Sequence, residues 1–177
     1  VIIAFMFLSG VNFGLYFGLL RGRVREFFRN PELRLYAFVI AVATLFIIAS
    51  RLRSGERMAE EMVRGTLFQV VSLITTTGFI TQDYELWQPF AQVVLVLLMV
   101  VGACSSSTGG GIKNIRLLVL LRSIGASLKK LLHPRSVVPV KVGGQPLADD
   151  VVANIQAFLA LYLFFFVGGM LAMLALG

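Results

Sequence analysis

Long apolar runs separated by short charged segments make up most of the chain. Three runs contain no charged side chain, and each is long enough to cross a bilayer core, which takes about 20 residues. They are Val1–Leu20, Leu86–Ile112 and Val151–Gly177. A fourth run, Leu35–Ser50, is shorter, but the flanking arginines can complete it because their head groups reach the interface. Since the runs are long and lack the alternation of barrel strands, they predict transmembrane helices.

A fifth segment, Gly65–Gln82, has no charge but is unusually polar for a span. Four threonines and one glycine lie within residues 75–81. We expect Thr66–Ile74 to form a short helix and Thr75–Phe79 to be extended.

The charged residues predict the orientation of these segments. Basic residues predominate in 21–34 and 113–150, whereas 51–85 has four arginines against five acidic residues. Cytoplasmic loops of membrane proteins are enriched in Lys and Arg, which places the first two segments inside and the third outside. One helix from Leu35 to Ser50 leads outward and one from Trp87 to Ile112 returns. Gly65–Gln82 therefore cannot cross, and we expect it to enter the membrane from outside and turn back.

Non-helical backbone at membrane depth survives only where protein buries it or where it lines a water-filled cavity. Carbonyl groups of such a segment can replace the hydration shell of a cation. Gly78 is suited to this segment because glycine adopts backbone angles that a β-branched residue resists. The threonine hydroxyls can satisfy backbone groups or serve as further oxygen ligands.

The composition supports a membrane protein and argues against other classes. Of the 177 residues, 58% are hydrophobic and 14% are charged, against about 45–50% and 25% in soluble domains. No nucleophile–base pair or metal cluster is evident, so we do not predict an enzyme or a bound cofactor. The net charge of +7 is explained by topology, so nucleic acid is not a predicted partner.

A dense run of small residues, Gly102–Asn114, interrupts the apolar run that starts at Leu86. In a membrane helix such a run predicts a break whose backbone groups must find other partners. The alternative is close helix packing through small residues. At its end, we expect Arg116 to extend to the cytoplasmic interface, whereas Lys113 either does the same or contacts a partner or the pore mouth.

Several motifs together resemble one known family. The strings are "TTTGF" followed by "DYELW", then "GACSSSTGGGIKNIR", with "NPELRLY" before them and "HPRSVVPVKVGGQPL" after them. This combination resembles the Trk-type potassium-uptake family, specifically its TrkH membrane subunit. "PVKVGGQPL" also predicts a short hairpin.

The resemblance implies an all-α integral membrane fold built from helix–pore loop–helix units like those of potassium channels, with a broken second helix. The chain begins and ends within apolar runs, so we expect a fragment of a larger protein. The implied segments are the last helix of a preceding unit (1–20), a cytoplasmic connector (21–34), a complete pore unit (35–122), a second connector (123–150) and the first helix of the next unit (151–177).

The resemblance also implies a function: potassium uptake across the cell (inner) membrane by a multi-pass, pore-forming subunit. Potassium would bind filter carbonyls, and an intramembrane loop would act as a gate. The implied partners are potassium, the lipid bilayer, a cytosolic nucleotide-binding regulatory subunit (TrkA-like) and a second copy of the full-length subunit. The implied filter residues are Thr75, Thr76, Thr77, Gly78 and Phe79. The implied gating-loop residues are Gly102, Ser105, Ser106, Ser107, Thr108, Gly109, Gly110, Gly111 and Lys113.

A secondary carrier remains the alternative, because carriers also place broken helices at the substrate site. The expected re-entrant segment favours the pore.

Overall fold

The computed structural model describes residues 1–133 and 139–176. Residues 134–138 of the predicted second connector and residue 177 of the last predicted segment lie outside the described residues. The chain divides into two units, Val1–Ile115 and Arg116–Gly177. Each unit is described separately.

The first unit contains six α-helices among the described residues. They are α1 (Ile2–Ser9), α2 (Phe13–Leu20), α3 (Val24–Arg29), α4 (Pro31–Arg53), α5 (Glu60–Ile74) and α6 (Pro89–Val100). A short 3₁₀ helix, Tyr84–Leu86, precedes α6. Helix α7 (Asn114–Leu132) begins in this unit and continues in the second.

Helix α4 is the long central helix of the first unit, and its ends have clear local causes. The Asn30 side chain accepts hydrogen bonds from the N–H groups of Glu32 and Leu33 at 2.9 and 3.1 Å, and Pro31 occupies the first turn. Both features stabilise a helix start. Arg51 and Arg53 lie in the last turn, where cations complement the helix dipole.

Helices α4, α5 and α6 pack against one another around the core of this unit. Tyr36, Ile47, Ile74 and Leu95 are among its fully buried side chains. Helix α1 adds to this core through Phe7, whose ring stacks on Tyr36 at a centroid distance of 5.1 Å.

The run Val1–Leu20, expected to form one helix, forms two. It consists of α1 and α2, which meet at an angle of 99°. Asn12 accepts a hydrogen bond from the N–H of Gly14 at 2.8 Å and so caps the new helix. Gly10 meets the hydroxyl of Tyr36 so closely that a Cβ atom there would lie 2.4 Å from it.

In the run Leu86–Ile112, helix α6 covers only Pro89–Val100, so it ends just before the segment Gly102–Asn114, where a break was expected. Residues 101–113 are not helical. Within the described residues, α4 and α8 (Asp149–Leu176) are long and apolar enough to cross a membrane, and α1 with α2 would add a third span if the bent pair counts as one.

The second unit contains the rest of α7, a hairpin and α8. Strands β1 (Lys141–Val142) and β2 (Gln145–Pro146) pair antiparallel, as their connecting glycines predict. Gly143 and Gly144 have φ values of 61° and 88°, which suit a tight two-residue hairpin turn. Most of the α8 surface is exposed within its unit.

Candidate functional site

The predicted filter starts where α5 ends. Thr75 is the C-cap residue, with φ −86° and ψ −1°. Thr76 and Gly78 then adopt positive φ values of 55° and 76°, which non-glycine residues rarely do. The expectation of a uniformly extended Thr75–Phe79 strand is therefore wrong. The segment is a turn with left-handed residues at two of its five positions.

The threonine hydroxyls stabilise this turn from within. Thr75 Oγ1 donates to the carbonyl of Val71 at 2.7 Å and lies 2.8 Å from Thr77 Oγ1. Thr76 Oγ1 donates to the carbonyl of Thr75 at 2.7 Å. The hydroxyls thus satisfy backbone and neighbouring groups, which is one of the two roles expected from the sequence.

The carbonyl groups of the segment differ in their availability. The Phe79 carbonyl accepts a hydrogen bond from Ser72 Oγ at 2.8 Å, which ties it back to α5. Among the described residues, no donor contacts the carbonyls of Thr76, Thr77 or Gly78. These three carbonyls therefore remain available as acceptors within the described residues.

The residues that follow the predicted filter are held by a buried arginine. Arg51, at the end of α4, donates to Thr66 Oγ1 and to Gln82 Oε1, both at 3.1 Å. It also pairs with Glu56 at 2.8 Å and lies 4.5 Å from the centre of the Trp87 ring. This arginine joins α4, α5 and the residues beyond the filter.

The 101–113 loop is closed at its base by backbone hydrogen bonds. The N–H of Gly102 donates to the Ile112 carbonyl, and the N–H of Ile112 donates to the Val100 carbonyl, both at 2.9 Å. Asn114 Nδ2 donates to the Gly102 carbonyl at 2.9 Å. Ser106 and Gly111 have positive φ values of 52° and 68°, so the chain turns sharply at both places.

The loop is also attached to the bend between α1 and α2. The N–H of Cys104 donates to the Gly10 carbonyl at 3.0 Å, and Thr108 Oγ1 donates to the Ser9 carbonyl at 3.2 Å. The bend exposes these carbonyls because the helical hydrogen bonds stop there. The two irregular segments therefore satisfy each other's backbone groups.

Within the loop, polar side chains bind carbonyls of the loop itself. Ser107 Oγ donates to the Cys104 carbonyl at 2.5 Å. Lys113 Nζ donates to the carbonyls of Ser107 and Gly109. Lys113 is thus turned into the loop. In the second unit, the guanidinium of Arg116 lies 3.8 Å from the centre of the Phe158 ring.

The loop contacts the predicted filter directly. The N–H of Gly110 donates to Thr76 Oγ1 at 2.8 Å. Gly109 is so near the end of α5 that a Cβ atom there would lie 3.4 Å from the Thr75 carbonyl oxygen and 2.8 Å from Ala103 Cβ. The structure therefore brings the two predicted sites together.

Comparison with known proteins identifies the family of the chain. The model of the family described as "TrkH: Cation transport protein" matches residues 1–176. The chain belongs to the TrkH family. Its relatives include the Trk system potassium uptake protein TrkH of Escherichia coli K12, 35% identical over 182 residues, and that of Vibrio parahaemolyticus, 33% identical over 181 residues. Each match covers 100% of this chain and 37% of the relative.

A solved TrkH structure has the same fold. The crystal structure of the potassium transporter TrkH from Vibrio parahaemolyticus matches with a TM-score of 0.88 and 35% identity, over 99% of this chain and 38% of the solved one. The predicted all-α membrane fold and the predicted family are confirmed. The chain spans about 37% of the length of its TrkH relatives.

Sequence reasoning missed three residues that contact the 101–113 loop or the residues around the predicted filter: Glu32, Arg51 and Asn12. Glu32 is buried and binds Ser105, as described below. In the sequence, Arg51 is simply a charged residue at the end of a predicted helix, and Asn12 is a polar residue within an apolar run. Asn12 carried the clearest signal, because Asn is favoured at helix starts.

Proposed function

We propose that this chain supplies one pore unit, residues 35–122, of a subunit that conducts potassium through the cell membrane. In this proposal, the carbonyls of Thr75–Phe79 form one quarter of a selectivity filter, and Thr76–Gly78 supply the main ligands. Residues 102–113 act as an intramembrane gate below it. The neighbouring helices α1–α2 and α8 belong to the units on either side. The role is transport, not catalysis.

The hydrogen bond between Gly110 N–H and Thr76 Oγ1 carries this proposal. A pore needs ligands for the ion and a movable element close to them. The free carbonyls lie at the end of a short helix, and the glycine-rich loop lies against the same turn. Glycine at 109 permits this approach, since a Cβ atom there would lie 2.8 Å from Ala103 Cβ and 3.4 Å from the Thr75 carbonyl oxygen.

Charge and family support a proposed membrane arrangement. The relatives are potassium uptake proteins of the Trk system, and the positive-inside rule places 21–34 in the cytoplasm. We propose a multi-pass protein of the inner membrane in which α5 enters from outside and residues 75–83 return. A dimer of the full-length subunit and a cytosolic nucleotide-binding regulatory subunit are further proposals that rest on the family resemblance.

The test is potassium-dependent growth of a transport-deficient strain that produces the full-length protein. Gly78→Asp should abolish growth at low potassium, because it strains a left-handed residue and puts a charge among the filter carbonyls. Gly55→Asp is the matched control: Gly55 also has positive φ (90°), and nothing lies within 4 Å of its Cβ position. The control should grow normally.

Normal growth of the Gly78→Asp strain, with potassium preference unchanged, would contradict the filter assignment. A secondary carrier would be distinguished by flux that requires a coupling ion. The proposed pore should instead conduct down the potassium gradient alone.

A further inference from the structure

The carboxylate of Glu32 is buried in the first turn of α4, with only 3% of the residue exposed. It accepts hydrogen bonds from the N–H of Ser105 at 2.5 Å, from the Ser105 hydroxyl at 2.9 Å, and from the N–H of Ile115 at 3.1 Å. Among the described residues, Glu32 forms no ion pair. Its partners are one loop residue and the first turn of α7.

The same part of the loop is held from a second side. Asn12 Nδ2 donates to Ser105 Oγ at 3.2 Å, and the N–H of Phe13 donates to the Ser106 carbonyl at 3.1 Å. The loop is therefore held between the starts of α2 and α4. If it left this position, Glu32 would lose donors while buried, and an unsatisfied buried charge is costly.

The loop is also joined to Gly10, Ser9 and Thr76, but by neutral hydrogen bonds, and the contacts within the loop do not oppose its movement as a whole. Lys113 binds carbonyls of Ser107 and Gly109, and the backbone pairs near Gly102 join one end of the loop to the other. These contacts preserve the loop's shape. The contacts of Glu32 instead join it to a different helix, and charge-assisted hydrogen bonds are roughly twice as strong as neutral ones.

We propose that Glu32 is the latch of the gate. It is a positioning residue that sets the balance between the seated loop and a displaced loop through Ser105 and Ile115. This inference rests on the proposed gating role of residues 102–113. It assigns the closed-state anchor to one carboxylate at the start of α4.

The test is potassium flux from proteoliposomes that contain only the purified full-length protein. Glu32→Gln keeps the shape of the side chain but removes its charge. We expect flux per protein to rise roughly tenfold, which corresponds to about 1.4 kcal/mol in the balance, while the potassium-to-sodium ratio stays unchanged. Ser105→Ala removes one of the three hydrogen bonds of Glu32, and also the one that Asn12 donates to the hydroxyl; because two bonds to Glu32 and its charge remain, it should raise flux less. The double variant should show less than the sum of both effects.

Glu26→Gln is the matched control, because Glu26 is an exposed residue of α3 that pairs only loosely with Arg23, at 3.8 Å. It should conduct like the wild type. Damage to the fold would lower the potassium flux. A higher flux with unchanged potassium-to-sodium selectivity therefore distinguishes a latch from a purely structural role. If Glu32→Gln fails to accumulate, Ser105→Ala tests the same hydrogen bond. Unchanged or reduced flux in Glu32→Gln would overturn the latch. If that variant fails to accumulate, unchanged or reduced flux in Ser105→Ala would overturn it instead. Absence of potassium flux in the wild type would instead overturn the proposed function.

Discussion

Substitution of Gly102 by alanine perturbs the base of the 101–113 loop. A Cβ atom at Gly102 would lie 1.9 Å from the carbonyl oxygen of Gly110 and 3.1 Å from the carbonyl carbon of Gly111. Both neighbours are backbone, so neither can rotate away. Reaching an ordinary contact of about 3.4 Å requires the two backbone segments to separate by roughly 1.5 Å.

This separation breaks the pairing that closes the loop. The bonds from Gly102 to Ile112 and from Ile112 to Val100 are both 2.9 Å long, and neither survives an opening of that size. Each is worth about 0.5–1.5 kcal/mol net, and overpacking costs about 1–3 kcal/mol. We therefore expect the seated loop to lose about 1–3 kcal/mol relative to a displaced loop, which is roughly a 5- to 150-fold change in their ratio.

The assay is potassium flux through the full-length protein in proteoliposomes, normalised to protein content. Gly102→Ala should raise flux. Gly110→Ala is the control in the same loop, because a Cβ there would make an ordinary 3.5 Å contact with Thr76 Cγ2; it should change flux by less than about threefold. Equal flux in wild type and Gly102→Ala would refute the claim that this backbone contact stabilises a closed loop, and so would a fall in the folded variant.

Two further predictions concern the outer side of the pore unit. The substitution Arg51→Met keeps an aliphatic side chain but removes the donors to Thr66 and Gln82. We expect it to destabilise the full-length protein by about 1–3 kcal/mol and to reduce its selectivity for potassium. Arg53 is exposed, so Arg53→Met should change neither the stability nor the selectivity. An unchanged melting temperature for Arg51→Met would contradict a stabilising role for the hydrogen bonds of Arg51. Cysteines at Gly55 and Gly22 should react with a membrane-impermeant reagent from opposite sides, Gly55 from outside; reaction from one side would reject the proposed topology. Gly22 and Gly55 both have open surroundings, and native Cys104 is buried.

Local patterns predicted the elements whose causes are local. The threonine–glycine run after Ile74 marks the end of α5, because Thr75 and Thr76 bind backbone groups within their own turn. The hairpin at 141–146 follows from its two glycines. The helix also stops near the glycine–serine run, at Val100.

The remaining features depend on contacts between distant parts of the chain. Hydropathy indicates one span over Val1–Leu20, yet the chain bends by 99° between α1 and α2. Donors from Cys104 and Thr108 stabilise that bend, and no local window includes them. Glu32 is similar: its sequence neighbours predict an exposed charge at a helix start, whereas its burial depends on Ser105.

The turn with a positive φ at Thr76 was also beyond local reasoning. An extended segment was expected because carbonyl groups of such a segment can replace the hydration shell of a cation. The left-handed residue is instead accompanied by the hydrogen bond from Gly110 to Thr76 Oγ1. The tertiary contact with the loop thus outweighs the preference of threonine for negative φ values.

The central claim is that the carbonyls of Thr76–Gly78 select potassium. The most direct test is the reversal potential of the full-length protein in a planar bilayer, with potassium on one side and sodium on the other. The account predicts a reversal potential close to that of a potassium-selective pore, and loss of this selectivity or of all current in Gly78→Asp but not in Gly55→Asp. A reversal potential near zero in the wild type would contradict it.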